Sequence, residues 1–102
     1  MAIMEITIVP LGTKDTSLSS YVAECLKALQ ELGLKYEVTA MGTQVEGDLN
    51  LLLETARKLH ELPFQKGARR VLTLIKIDDR RDKPQTLEGK ITSVYQKLKG
   101  LA

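Results

Sequence analysis

The chain has 102 residues, 43% hydrophobic and 27% charged, with a formal net charge of +2. That suits one domain with a modest core. It offers no excess of base for a nucleic-acid partner and no apolar run near the roughly 20 residues a membrane-spanning helix needs. Cys25 is the only cysteine, so no intrachain disulfide can form, and no signal peptide opens the chain; the expectation is a cytoplasmic protein.

Read in order, Ile3–Val9 predicts a strand stopped by Pro10 and Gly12. A helix follows from about Leu18 to Leu32, its stripe formed by Leu18, Val22, Cys25, Leu29 and Leu32. Ser17 or Thr16 is placed to cap its start, and Gly33 suits the left-handed position after its end. Lys35–Ala40 reads as a second strand, Met41-Gly42 as a tight connection and Thr43–Glu46 as a short third strand. Asp48 can cap a helix from Leu49 to about Leu62, with Leu49, Leu52, Leu53, Ala56 and Leu59 on one face and Pro63 as its stop. After a loop at Phe64–Ala68, the fourth strand spans Arg69–Ile77. Pro84 and Thr86 open a last helix, with Leu87, Ile91, Val94, Tyr95 and Leu98 along one side and Gly100 closing it.

This order predicts an α+β fold, a ferredoxin-like βαββαβ sandwich with a four-stranded antiparallel sheet, plus an extra C-terminal helix. Residues 1–102 form a single domain, with strands in the spatial order 4-1-3-2. The first and third strands are expected to run parallel, the fourth against them. That would gather Pro10, Gly12, the serines and Glu46 at one end of the sheet, with Gly42 and Asp78–Asp82 toward the other. Side chains alternate along a strand, and both faces of the first and fourth strands are partly apolar. Helices cover one face, so a second subunit is expected on the other, as a dimer or a dimer of dimers.

Few residues offer catalytic chemistry. Cys25 lies on an apolar stripe and reads as a structural thiol rather than a nucleophile. His60, the only histidine, sits in the last turn of the second helix, where a cation is favoured by the helix dipole. No metal-ligand spacing is present, and Asp78 and Asp79 point to opposite faces beside competing arginines. No catalytic or metal residue is therefore assigned, and a non-enzymatic binding protein is expected. What remains is polar and suited to binding: Ser19 and Ser20 at a helix start, Gly42 and Thr43 at a strand turn, Glu46 before a helix, and the run Asp78-Asp79-Arg80-Arg81-Asp82-Lys83, which balances three acids against three bases.

Six segments, in order, carry a resemblance. They are Ile8-Val9-Pro10-Leu11-Gly12, Ser17-Leu18-Ser19-Ser20-Tyr21-Val22, Gly33-Leu34-Lys35-Tyr36, Met41-Gly42-Thr43-Gln44-Val45-Glu46-Gly47, Lys76-Ile77-Asp78-Asp79-Arg80-Arg81 and Lys90-Ile91-Thr92-Ser93-Val94. Each is weak alone; together they span the chain and resemble the small thiamine-binding-protein family, long catalogued as uncharacterised. The resemblance implies a ferredoxin-like fold, a homo-oligomer (usually a tetramer built from dimers), and thiamine or its hydroxymethylpyrimidine part as a ligand, not as a catalytic cofactor. The candidate ligand-binding residues are Ser19, Ser20, Gly42, Thr43, Glu46, Asp79, Arg80 and Arg81. Glu46 would accept from the pyrimidine amino group, and Thr43, Ser19 or Ser20 would bond the ring nitrogens. Asp79, or the ring of Tyr21 or Tyr36, would face the thiazolium cation. Arg80 or Arg81 would suit a phosphate. The alternative is an oligomeric regulatory module binding an anionic effector at subunit contacts.

Overall fold

In the computed structural model, which describes residues 1–101, the alternating pattern of the first segment becomes β1 (Ala2–Leu11). It is followed by α1 (Ser19–Glu31), β2 (Lys35–Thr39), β3 (Gly42–Gly47), α2 (Leu49–Gln65), β4 (Arg70–Asp79) and α3 (Leu87–Gly100). The strands form one sheet in the order β2-β3-β1-β4, every neighbouring pair antiparallel. This is the ferredoxin-like α+β arrangement with an added C-terminal helix.

The antiparallel pairing of β1 with β3 corrects the expectation that they run parallel. One helix returns the chain so that β2 follows the direction of β1, and the hairpin then reverses β3. Ala2 faces Gly47 and Ile6 faces Thr43. Glu46 therefore lies at the end of the sheet shared with Asp78 and Asp79, opposite Ile3 and Ala2. Gly42 and Thr43 lie toward the other end, where α1 begins.

Element ends differ from expectation for local reasons. β1 continues through Pro10 because β3 pairs with it only as far as Ile6. Beyond that point one side of β1 carries no ladder for a proline to break. α1 begins at Ser19, with Leu18 as an N-cap lacking any side-chain hydrogen bond. Ser17 does not cap it: its N–H donates to Asp15 Oδ1 at 2.9 Å, and its hydroxyl pairs with that of Ser19 at 3.1 Å. α2 runs through Pro63 to Gln65. Its end is set by Gly67, at φ 98°, where the Gly67 N–H donates to the Phe64 carbonyl and the Ala68 N–H to that of Pro63. This left-handed closure needs a residue without Cβ. Asp48 caps α2 as expected, accepting from the Asn50 N–H at 3.1 Å.

The core lies between the sheet and the two helices α1 and α2. Met4, Ile6 and Val45 from the sheet pack against Cys25 and Leu29 of α1 and Leu52, Ala56 and Leu59 of α2. The other sheet face carries Ile3 and Glu5 of β1, Gln44 and Glu46 of β3, and Leu72 and Leu74 of β4. α3 meets that face only through its first turn. Thr86 caps it by accepting from the Gly89 N–H, and Leu87 is buried. Farther on, Ile91, Val94, Tyr95 and Leu98 are exposed, Val94 by 66%. The molecule is accordingly elongated, 49 × 31 × 20 Å, with a radius of gyration of 15.5 Å, against about 13 Å for a compact domain of about 100 residues.

Candidate ligand-binding site

The register that puts Thr43 beside Ile6 turns both side chains toward the helices. There the first half of α1 and the β2–β3 hairpin frame a partly open cavity of about 200 Å³. Ile6 and Ile8 form its sheet wall, Leu59 reaches it from α2, and Leu18, Tyr21, Val22 and Cys25 line it from α1. The hairpin closes it with Val38, Thr39, Ala40, Met41, Gly42 and Thr43. The polar groups are the Thr43 hydroxyl on a residue only 7% exposed, the hydroxyls of Thr7 and Thr39, the Tyr21 phenol, the Cys25 thiol and hairpin main chain. Burial, with the Glu24 charge adding to it, pushes the Cys25 thiol up from its ordinary value, so it is held as a neutral lining group.

The hairpin rim is fixed by side chains of the facing strand. Thr7 Oγ1 donates to the Met41 carbonyl at 3.2 Å, and Thr39 Oγ1 donates to that of Gly42 at 2.9 Å. Gly42 sits so close to β1 that a Cβ there would lie 3.0 Å from Thr7 Oγ1 and 3.3 Å from Glu5 Cγ. A larger residue here would make the Thr7 and Glu5 side chains give way by a few tenths of an ångström.

Not all the expected residues come together. Gly42 and Thr43 line the cavity. Ser19 and Ser20 occupy the first turn of α1 between the lining residues Leu18 and Tyr21, but both are exposed and neither lines it. Glu46 belongs elsewhere. Its Oε2 accepts from the Leu87 N–H at 2.7 Å, and its Oε1 lies 3.9 Å from Lys35 Nζ, which also pairs with Glu88 at 2.8 Å. A carboxylate at the start of α3 complements its free N–H groups and its dipole, so Glu46 fastens α3 rather than meeting Thr43.

Asp79, Arg80 and Arg81 lie in an open cleft between the end of β4 and α3. Arg81 donates to Asp79 through Nη2 at 2.7 Å, and Arg80 donates to Asp82 through Nε at 2.6 Å and Nη2 at 2.9 Å. Lys90 pairs with Asp78. The Arg81 hydrogen bond holds the Asp79 carboxyl below its usual range, and Arg80 lowers Asp82 to about 2. Both arginines are paired, so an anion bound by Arg80 or Arg81 would have to displace a carboxylate. His60 is apart from both places, its Nδ1 2.7 Å from Thr73 Oγ1 and its ring edge-on to Phe64. Among the described residues no three His, Cys, Asp or Glu side chains are grouped to hold a metal ion, and no helix is long and apolar enough to cross a membrane.

Sequence reasoning did not place Val22, Cys25 and Val38 in a cavity. The available signal was that the first half of the α1 stripe extends past the core toward the hairpin. Nothing in the sequence pairs Glu46 with Leu87, 41 residues away.

A small ferredoxin-like domain with a partly open, ring-sized cavity is the class these features define. The sequence profile of the family described as thiamine-binding protein matches residues 4–95. The UPF0045 protein YqgV of Bacillus subtilis is 50% identical over 102 residues, covering 96% of this chain and 98% of its own. A UPF0045 protein of Methanothermobacter thermautotrophicus is 48% identical over 99 residues, covering 96% and 100%. Among solved structures, a hypothetical protein of Methanocaldococcus jannaschii superposes with a TM-score of 0.82 at 36% identity, over 93% of this chain and 96% of that one. A Thermotoga maritima protein named as a candidate for thiamine biosynthesis or salvage gives 0.76 at 25% identity, over 91% and 97%. The chain belongs to the thiamine-binding protein family.

Proposed function

We propose that this protein binds thiamine through its aminopyrimidine half, or free hydroxymethylpyrimidine, in the cavity between α1 and the β2–β3 hairpin, and that it does so without catalysis. The observation that carries this is the cavity's size and lining together. Its volume of about 200 Å³ exceeds the ~150 Å³ that takes a benzene ring and falls below the roughly 300–1,000 Å³ of sites for larger ligands. One substituted six-membered ring fits that range. Thr43 supplies a hydroxyl for a ring nitrogen, the main chain at residues 39–41 supplies carbonyl acceptors for the amino group, and Tyr21 offers an aromatic wall. Among the described residues no carboxylate lines the cavity, so a thiazolium ring would sit outside it. The neutral thiol of Cys25 and the engagement of His60 with Thr73 support a binding role over a nucleophile–base pair.

The same reading includes self-association. The exposed stripe of α3 and the half-exposed Leu72 and Leu74 on the uncovered sheet face suit a homo-oligomer, as a dimer or a dimer of dimers.

Isothermal titration with hydroxymethylpyrimidine, thiamine and thiamine phosphate tests the ligand. Saturable binding of the pyrimidine at about one site per chain is expected. No heat from any of the three would overturn the proposal.

A further inference from the structure

Tyr21 has a second side. Beyond it from the cavity, the β1–α1 loop and the α2–β4 loop form a groove containing Lys14, Lys66, Arg69 and Arg70. Tyr21 lines the cavity and the groove alike. Lys66 Nζ stands 6.0 Å from the Tyr21 ring centroid and 3.2 Å from Glu24 Oε1. Among the described residues, Lys14, Arg69 and Arg70 make no ion pair. The contrast with the far end of β4 is direct, because there each arginine already holds a carboxylate. The groove thus concentrates more positive charge than the whole chain's net +2, and its guanidinium donors are available for phosphate oxygens.

The spacing fits one ligand. Ile8 lines the cavity and Leu11 lines the groove on the same strand, three residues or about 10 Å apart. We propose that the protein prefers a phosphorylated pyrimidine ligand, with the ring in the cavity and the phosphate or diphosphate in the Lys14–Lys66–Arg69–Arg70 groove. This rests on the ring-binding reading above and moves the anion subsite from Arg80 and Arg81 to the opposite end of β4.

The test titrates hydroxymethylpyrimidine, its monophosphate, its diphosphate and thiamine diphosphate into the wild type and into the double variant Arg69→Gln/Arg70→Gln. At least one phosphorylated ligand should bind about 10- to 100-fold tighter than the free pyrimidine, the scale of one or two charge-assisted hydrogen bonds. That advantage should shrink with added salt and largely vanish in the double variant, whose affinity for the unphosphorylated pyrimidine stays unchanged. Which ligand gains most distinguishes a monophosphate from a diphosphate and a bare pyrimidine from a thiamine. Equal affinity for phosphorylated and free forms, or an advantage that survives both substitutions, overturns the phosphate subsite while leaving ring binding intact. Absence of binding by every ligand overturns the ring-binding reading and this inference with it.

Discussion

Single residues of the cavity make distinct contributions. Thr43→Val keeps the shape and removes the hydroxyl, so affinity for hydroxymethylpyrimidine should fall by about 0.5–1.5 kcal/mol, the net value of one neutral hydrogen bond. Thermal stability should be nearly unchanged, and calorimetry of the same sample reads both. Cys25 provides a chemical reporter. Because burial raises its pKa, the thiolate is scarce near neutrality, and a disulfide reagent should modify the folded protein far more slowly than the unfolded one. Hydroxymethylpyrimidine should slow the reaction further; an unchanged rate under saturating ligand would place the ligand outside the cavity. In the core, Leu29 and Leu52 are fully buried, and replacing either with alanine should cost about 2–5 kcal/mol in urea unfolding.

Elements differ in how firmly they are held, and Glu46 marks the difference. α1 and α2 are fixed by the shared core, whereas α3 is fastened by Leu87 and the Glu46 carboxylate. Glu46→Ala should therefore cost roughly 1.5–3 kcal/mol, the range for a hydrogen bond to a charged group. Amide exchange should accelerate through the first turn of α3 while β1 stays protected; uniform acceleration would contradict so local a role. Periodicity made all seven elements legible in the sequence, because the stripes of α1 and α2 and the alternation of β1 and β4 are strong patterns. Strand direction between β1 and β3 was misread, and that misplaced Glu46. Side-chain partners formed across 41 residues leave no local trace, and Pro63 suggested a stop that Gly67 in fact supplies. Thr43 and Gly42 were legible because a turn next to a strand end narrows where their groups can go. The cavity was not, since it arises where β1, α1, α2 and the β2–β3 hairpin meet.

At the scale of the whole molecule, exposed pairs set the response to acid. Glu5, Asp79 and Glu88 have carboxyls lowered by hydrogen bonds from Lys76, Arg81 and Lys35. A lowered folded pKa contributes stability above the unfolded value, and that contribution is lost as pH falls through the folded one. The melting temperature should hold near neutrality and decline as pH drops below about 4, with high salt flattening the decline. The proposed self-association is tested at the same scale. Tyr95 is 61% exposed on the α3 stripe, so Tyr95→Glu with Leu98→Glu should reduce the mass measured by light scattering to that of a monomer. A wild-type mass already equal to one chain would refute the assembly. The outer position of β4 carries one more consequence. Ten residues long and unpaired along one side, it is a ready template for fibril growth. An in-register parallel stack would lay Arg69 and Arg70 on their own copies at one end, and Asp78 and Asp79 on theirs at the other. Like charges would then repel layer upon layer at both ends of the strand, which disfavours such a stack.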